Sequence, residues 1–158
     1  MKNSVLLLVI FITTACQNQP QEQPQGNWIT GSGQNQIETI EKQFRGFDMA
    51  MVETGYRYVE LYWAGKDQNW EYATYQLQKI RKTINNGLER RPKRAKSATN
   101  FLNTTLPEME KAIQYQDSVA FAKNFHKLTI SCNTCHELEK LAFFNVKEPL
   151  YRVSAIRE

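Results

Sequence analysis

The sequence predicts an all-α domain, an up-down-up-down antiparallel four-helix bundle, behind a short export leader. Three observations carry this. Apolar residues recur at helical spacing through most of the chain. Alternating strand patterns are scarce. The breaks between apolar stripes are short, so successive helices run antiparallel. The 158 residues suffice for one domain. With 41% apolar and 23% charged residues, the composition is globular rather than disordered or collagen-like. Lys plus Arg number 20 against 16 Asp plus Glu, a net +4 that does not argue for nucleic acid.

Residues 1–15 read as a signal peptide. Lys2 supplies the positive start, and Val5 to Ile12 form an apolar run of eight residues. That is far below the ~20 a spanning helix needs. Thr13-Thr14-Ala15-Cys16 resembles the lipobox of bacterial lipoproteins, with Thr13 where Leu is usual. The resemblance implies cleavage before Cys16 and acylation of that cysteine. Ordinary cleavage leaving a free thiol is the alternative, and an exposed thiol in an oxidising compartment is a liability. Residues 16–35 form the lipidated tether. Their Gln, Pro, Asn and Gly cannot bury enough surface to offset chain entropy, and residues 17–34 reach at most ~60 Å when extended. The expected location is the bacterial cell envelope, facing the periplasm, with the membrane held through the lipid.

The bundle domain is read over residues 36–158. Its first stripe is Ile37, Ile40, Phe44, Phe47, Met51, Tyr58 and Tyr62, stopped by Ala64-Gly65. The second is Trp70, Ala73, Leu77, Ile80, Ile84 and Leu88, ending before Arg90-Arg91-Pro92-Lys93. The third is Leu102, Leu106, Met109 and Ile113, in which Pro107 predicts a kink or a late start. The fourth is Phe121, Phe125, Leu128, Cys132 and Cys135, with Asp117 or Ser118 as the N-cap. A C-terminal extension follows Lys147-Glu148-Pro149.

The chemistry concentrates in Cys132-Asn133-Thr134-Cys135-His136, a C-x-x-C-H motif of the kind that attaches c-type haem. Cysteines three apart on a helix project from one side, so both reach the vinyl groups of one haem as thioethers. The adjacent His136 turns its imidazole to the iron. Attachment outside the cytoplasm agrees with the leader. A thioredoxin-type pair wants a βαβ context, which is not visible. A zinc site would need His126, six residues before Cys132, and the usual finger spacing is absent. A structural disulfide between Cys132 and Cys135 leaves His136 without a role.

The second axial position needs a residue from another helix. His126 lies ten residues from His136 on the same helix, ~15 Å along its axis. Met1 leaves with the signal, and Met49 falls off the apolar stripe. Measured from one end of the bundle, His136 stands at ~28 Å, Met51 at ~21 Å, Phe47 at ~27 Å and Met109 at only ~10 Å. Met51 and Phe47 therefore both remain open. Met51 would be a ligand or a core methionine filling a gap.

A C-x-x-C-H near the end of the last helix of a four-helix bundle resembles the cytochrome c-prime group and its low-spin monohaem relatives. Met51, Leu61-Tyr62-Trp63-Ala64-Gly65, Asn69-Trp70, the haem motif, Phe143-Phe144-Asn145-Val146 and Pro149 are similar to a set of bacterial monohaem cytochromes. The likeness covers most of residues 45–150. Tyr58 and Glu60 stand where that set carries His and Lys. The resemblance implies one covalent haem c held by Cys132 and Cys135, His136 as proximal iron ligand, Met51 as distal ligand and Phe47 in the distal pocket. It implies an electron carrier rather than an enzyme, with redox proteins as partners and a homodimer as one possible state. An open distal site would instead bind NO or CO. A structural lipoprotein with a C-x-x-C disulfide is the reading from a different class. Arg90, Arg91, Lys93, Arg94 and Lys96 place five cations in seven residues. The proposed topology sets this loop at the haem end, as a solvated loop, a propionate partner or a docking patch for an acidic redox protein.

Overall fold

The computed structural model describes residues 24–153; the signal peptide, Cys16 and the tether up to residue 23 lie outside this range. The described residues are helical, with no strand among them. The chain divides into two compact units at Gln43/Phe44. The first contains most of α1 (Gly33–Phe44), in which Ile37 and Ile40 are exposed.

The second unit is a helical bundle of four helical rods. These are α2 (Phe47–Lys66), α3 (Trp70–Arg90), a composite third rod and α6 (Ser118–Leu138). The third rod runs from a 3-10 turn at Pro92–Arg94 through α4 (Ala95–Asn100), a π turn at Phe101–Thr105 and α5 (Leu106–Gln114). Neighbours run antiparallel. Tyr58 of α2 bonds Thr129 of α6, while Gly65 lies against Phe121. Glu108 of α5 meets Asn124 and Lys127, while Thr105 meets Ser131. The core between the rods is Leu61, Ile80, Leu106, Met109, Phe125 and Leu128, each at most 1% exposed. The apolar stripes of the second, third and fourth helices thus face inward as read.

The first stripe differs from the reading. It does not run as one helix from Ile37 to Tyr62. Arg45 adopts φ 59°, Gly46 is extended, and α2 starts afresh at Phe47. Asp48 holds the restart, accepting from the Gly46 N–H at 3.0 Å and pairing with Arg45. Ala64-Gly65 is not the stop either. The helix continues to Lys66, and the left-handed residue is Gln68 at φ 58°. A Cβ on Gly65 would stand 2.0 Å from the Phe121 ring, so glycine here serves the close approach of two helices.

Two of the turns share one design. Gln68 and Gln116 are left-handed, and the next residue closes the Schellman bond, Asn69 N–H to Ala64 C=O at 2.9 Å and Asp117 N–H to Ala112 C=O at 3.0 Å. The same Asn69 and Asp117 then cap the following helix through their side chains. One residue finishes one helix and starts the next, which keeps these connections short.

Pro107 does not delay the third rod, which is already helical from Ala95. The strain is absorbed just upstream. The Leu106 N–H reaches back five residues to the Phe101 carbonyl, the π pattern. That leaves the Leu102 carbonyl without its helical donor, and Arg81 of α3 donates to it at 3.1 Å. Proline has no N–H to give, so one turn of wider helix removes both problems.

Candidate functional site

Successive turns of α2 point Phe47, Met51 and Thr54 at the last two turns of α6. There they meet Cys132, Cys135 and His136 around one pocket, closed by Ile84, Ala98 and Phe101. Phe101 belongs to the π turn, so the irregular backbone forced by Pro107 also shapes this wall. The cavity is small, about 30 Å³, and opens to solvent. All five side chains marked from the sequence for haem, Cys132, Cys135, His136, Met51 and Phe47, line it together.

His136 is oriented by the chain that follows it. Lys140 turns left-handed at φ 61°, and the Leu141 N–H closes on the His136 carbonyl at 2.7 Å. The chain then folds back so that the Phe144 carbonyl lies 2.6 Å from His136 Nδ1. A carbonyl only accepts, so Nδ1 carries the proton and Nε2 keeps its lone pair for a metal. Asn133, inside the motif, pins the same segment twice. Its Nδ2 donates to the Val146 carbonyl at 2.9 Å, and its Oδ1 accepts the Val146 N–H at 2.7 Å.

Cys132 and Cys135 are free thiols. Burial pushes the Cys132 thiol up to about 12, with the neighbouring Cys135 adding to it. Burial also raises the Cys135 thiol, and the neighbouring Ser97 works against that rise. A redox-active C-x-x-C works through a lowered pKa, whereas both thiols here are raised.

The basic segment reaches the pocket rim through Arg94. Its guanidinium lies 5.9 Å from the centre of the Phe47 ring and pairs with Glu139. Ser97 donates to the other oxygen of that carboxylate.

Other candidates lie elsewhere. Met109 is fully buried in the core and does not line the pocket, and Met49 is partly exposed. His126 is exposed and bonds Glu148 at 3.0 Å. Among the described residues no group of three or more His, Cys, Asp or Glu is placed to hold an ion.

Thr54, Asn133, Phe101 and the Phe144 carbonyl were missed from the sequence. Thr54 carried a weak signal, a polar residue one turn after Met51 on an otherwise apolar face. The Phe144 carbonyl carried none, since its contact depends on where a loop returns. No family model, no curated protein and no solved structure matches the chain.

Proposed function

We propose that the protein is an exported, lipid-anchored monohaem c-type cytochrome that carries electrons and is not an enzyme. The observation that supports this best is the convergence of two thiols and one imidazole, its Nε2 free, on a single apolar pocket. The donor set fits a covalently held haem. Cys132 and Cys135 would hold the group as thioethers, and His136 Nε2 and the Met51 sulfur would be its iron ligands. Bound there, the group supplies one-electron exchange at its iron.

The chain's own residues do the rest. The Phe144 carbonyl fixes the His136 tautomer and makes Nε2 a better donor. Phe47, Ile84, Ala98 and Phe101 exclude water. A Met/His pair raises the potential of the iron, which suits reversible transfer. Arg94 at the pocket rim, within a segment of five cations, would suit an acidic redox partner, and the lipid on Cys16 would keep the carrier at the membrane of the cell envelope.

The test is denaturing gel electrophoresis with a haem stain, followed by visible spectra of the oxidised and reduced protein with and without CO. Colour that comigrates with the chain, and is abolished in a Cys132→Ala, Cys135→Ala double variant, is the expected result. A colourless chain with a Cys132–Cys135 disulfide would establish the structural-lipoprotein reading instead. A high-spin iron that takes up CO at once would establish a gas-binding haem protein.

A further inference from the structure

Four buried side-chain polar atoms lack a partner among the described residues, and Thr54 Oγ1 is the one on a residue that lines the pocket. Thr54 is only 8% exposed. A threonine inside a helix ordinarily satisfies its hydroxyl by bonding the carbonyl four residues back. This protein follows that habit elsewhere. Thr74 bonds Trp70, Thr99 bonds Ala95, Thr129 bonds Phe125 and Thr134 bonds Ile130, all at 2.8–3.0 Å. Thr54 does not, although the Ala50 carbonyl stands in the same relation to it.

Tyr58, one turn on along α2, does not bond it either. Tyr58 spends its hydroxyl on Thr129 at 2.6 Å. Around the pocket the remaining side chains are apolar, sulfur-bearing or the imidazole of His136. A buried hydroxyl left unmatched is costly, so its partner must come from the pocket once the pocket is filled. Met51 is three residues before Thr54 on α2, hence on the same face. A thioether sulfur has two lone pairs. One would go to the iron, and the other is a weak acceptor.

We propose that Thr54 is a positioning residue for the distal ligand: its hydroxyl donates a hydrogen bond to the sulfur of Met51 when that sulfur is held at the iron. The inference rests on the haem reading above. The hydrogen bond draws electron density from the sulfur. It weakens donation to ferric iron more than to ferrous iron, and so raises the reduction potential.

The experiment compares the haem-loaded protein with its Thr54→Val and Thr54→Ser variants. Valine keeps the shape and removes the hydroxyl; serine keeps the hydroxyl. Covalent haem is read first on a denaturing gel, then the ferric sulfur-to-iron charge-transfer band, the reduction potential and the thermal midpoint. The expected result is a lower potential and a shifted band in Thr54→Val, with Thr54→Ser close to the parent. If neither variant moves the potential or the band, or if both move them alike, Thr54 is packing and the inference falls while the haem reading stands. A parent iron that is high-spin removes Met51 as ligand and overturns the inference together with the Met51-ligated electron carrier, while covalent haem stands. A parent chain without covalent haem overturns both.

Discussion

Where α2 finishes and α6 begins, Gly65 lies directly against the Phe121 ring; at the other end the same two helices hold Met51 and Cys132 around a pocket. At the first end aromatic rings pack between the two helices, and a cavity of about 150 Å³ opens beside them, bordered by Tyr62, Gly65, Phe121 and Phe125. Phe121 and Phe125 are at most 3% exposed, and Trp70, Tyr62 and Tyr58 pack on them with ring centres 4.7–6.0 Å apart. The second end has a thioether, two thiols and an imidazole facing a space. The difference comes from side-chain size at equivalent turns. A hydrogen at Gly65 leaves room for the Phe121 ring, while Phe47, Met51 and Thr54 line the pocket at the other end. One end stacks ring on ring, while the other gathers the sulfur and imidazole side chains.

That contrast breaks most sharply at Gly65. Gly65→Ala puts a Cβ into the Phe121 ring, and overpacking of this kind costs about 3 kcal/mol. Urea unfolding should show the loss, and the same change combined with Phe121→Leu should recover part of it. Strict additivity of the two changes would show that they do not share the contact.

At the open end the matching change is Met51→Ala. It should leave the fold in place, convert a low-spin iron to high-spin and open it to CO, with a lower reduction potential. Spectra and CO titration decide this, and an unchanged low-spin spectrum would assign the distal position to another side chain.

Between the two ends, Asn133→Ala removes both bonds to Val146. At about 1 kcal/mol for each bond, the expected cost is about 2 kcal/mol. Faster amide exchange at Val146 should accompany it, since that N–H loses its acceptor. The readout sharpens the contrast because it reports the segment that orients His136 rather than the helix packing.

The smallest effect belongs to an exposed pair. The hydrogen bond and charge of Lys127 hold the Glu108 carboxyl below its usual range. A lowered native pKa means the unfolded state binds protons first as the pH falls. The pair therefore stabilises above the ordinary carboxylate range, and its contribution disappears as the pH drops through the lowered native value. Lys127→Ala should flatten the acid limb of the stability curve slightly and leave neutral spectra untouched, and a large change at neutral pH would contradict a surface role.

Much of this was legible in the residues. The stripes of the second, third and fourth helices face the core as read, and Asp117 caps α6. The ruler that set Met51 and Phe47 at the height of His136 and left Met109 behind matches the pocket lining. Helix ends were harder. Arg45, Gln68, Gln116 and Lys140 end their helices in the left-handed region, and none is a glycine. A search for glycine stops therefore found Gly65, whose task is packing, and missed all four turns. The break after α1 was hidden for a related reason. The apolar stripe stays in phase across Arg45-Gly46, so periodicity alone does not reveal a two-residue interruption.

Local rules act within about one turn, so the sequence by itself determined the helical rods, their inward faces, the caps at Asn69 and Asp117, and the spacing of Cys132, Cys135 and His136. Only the tertiary structure decided which glycine touches a ring, where the π turn puts Phe101, and which carbonyl meets His136 Nδ1. It also decided that the hydroxyl of Thr54 is left without a partner. Each of these depends on a residue distant in the chain arriving at a particular place. Periodicity states which face is apolar, but only the assembled bundle states what that face meets.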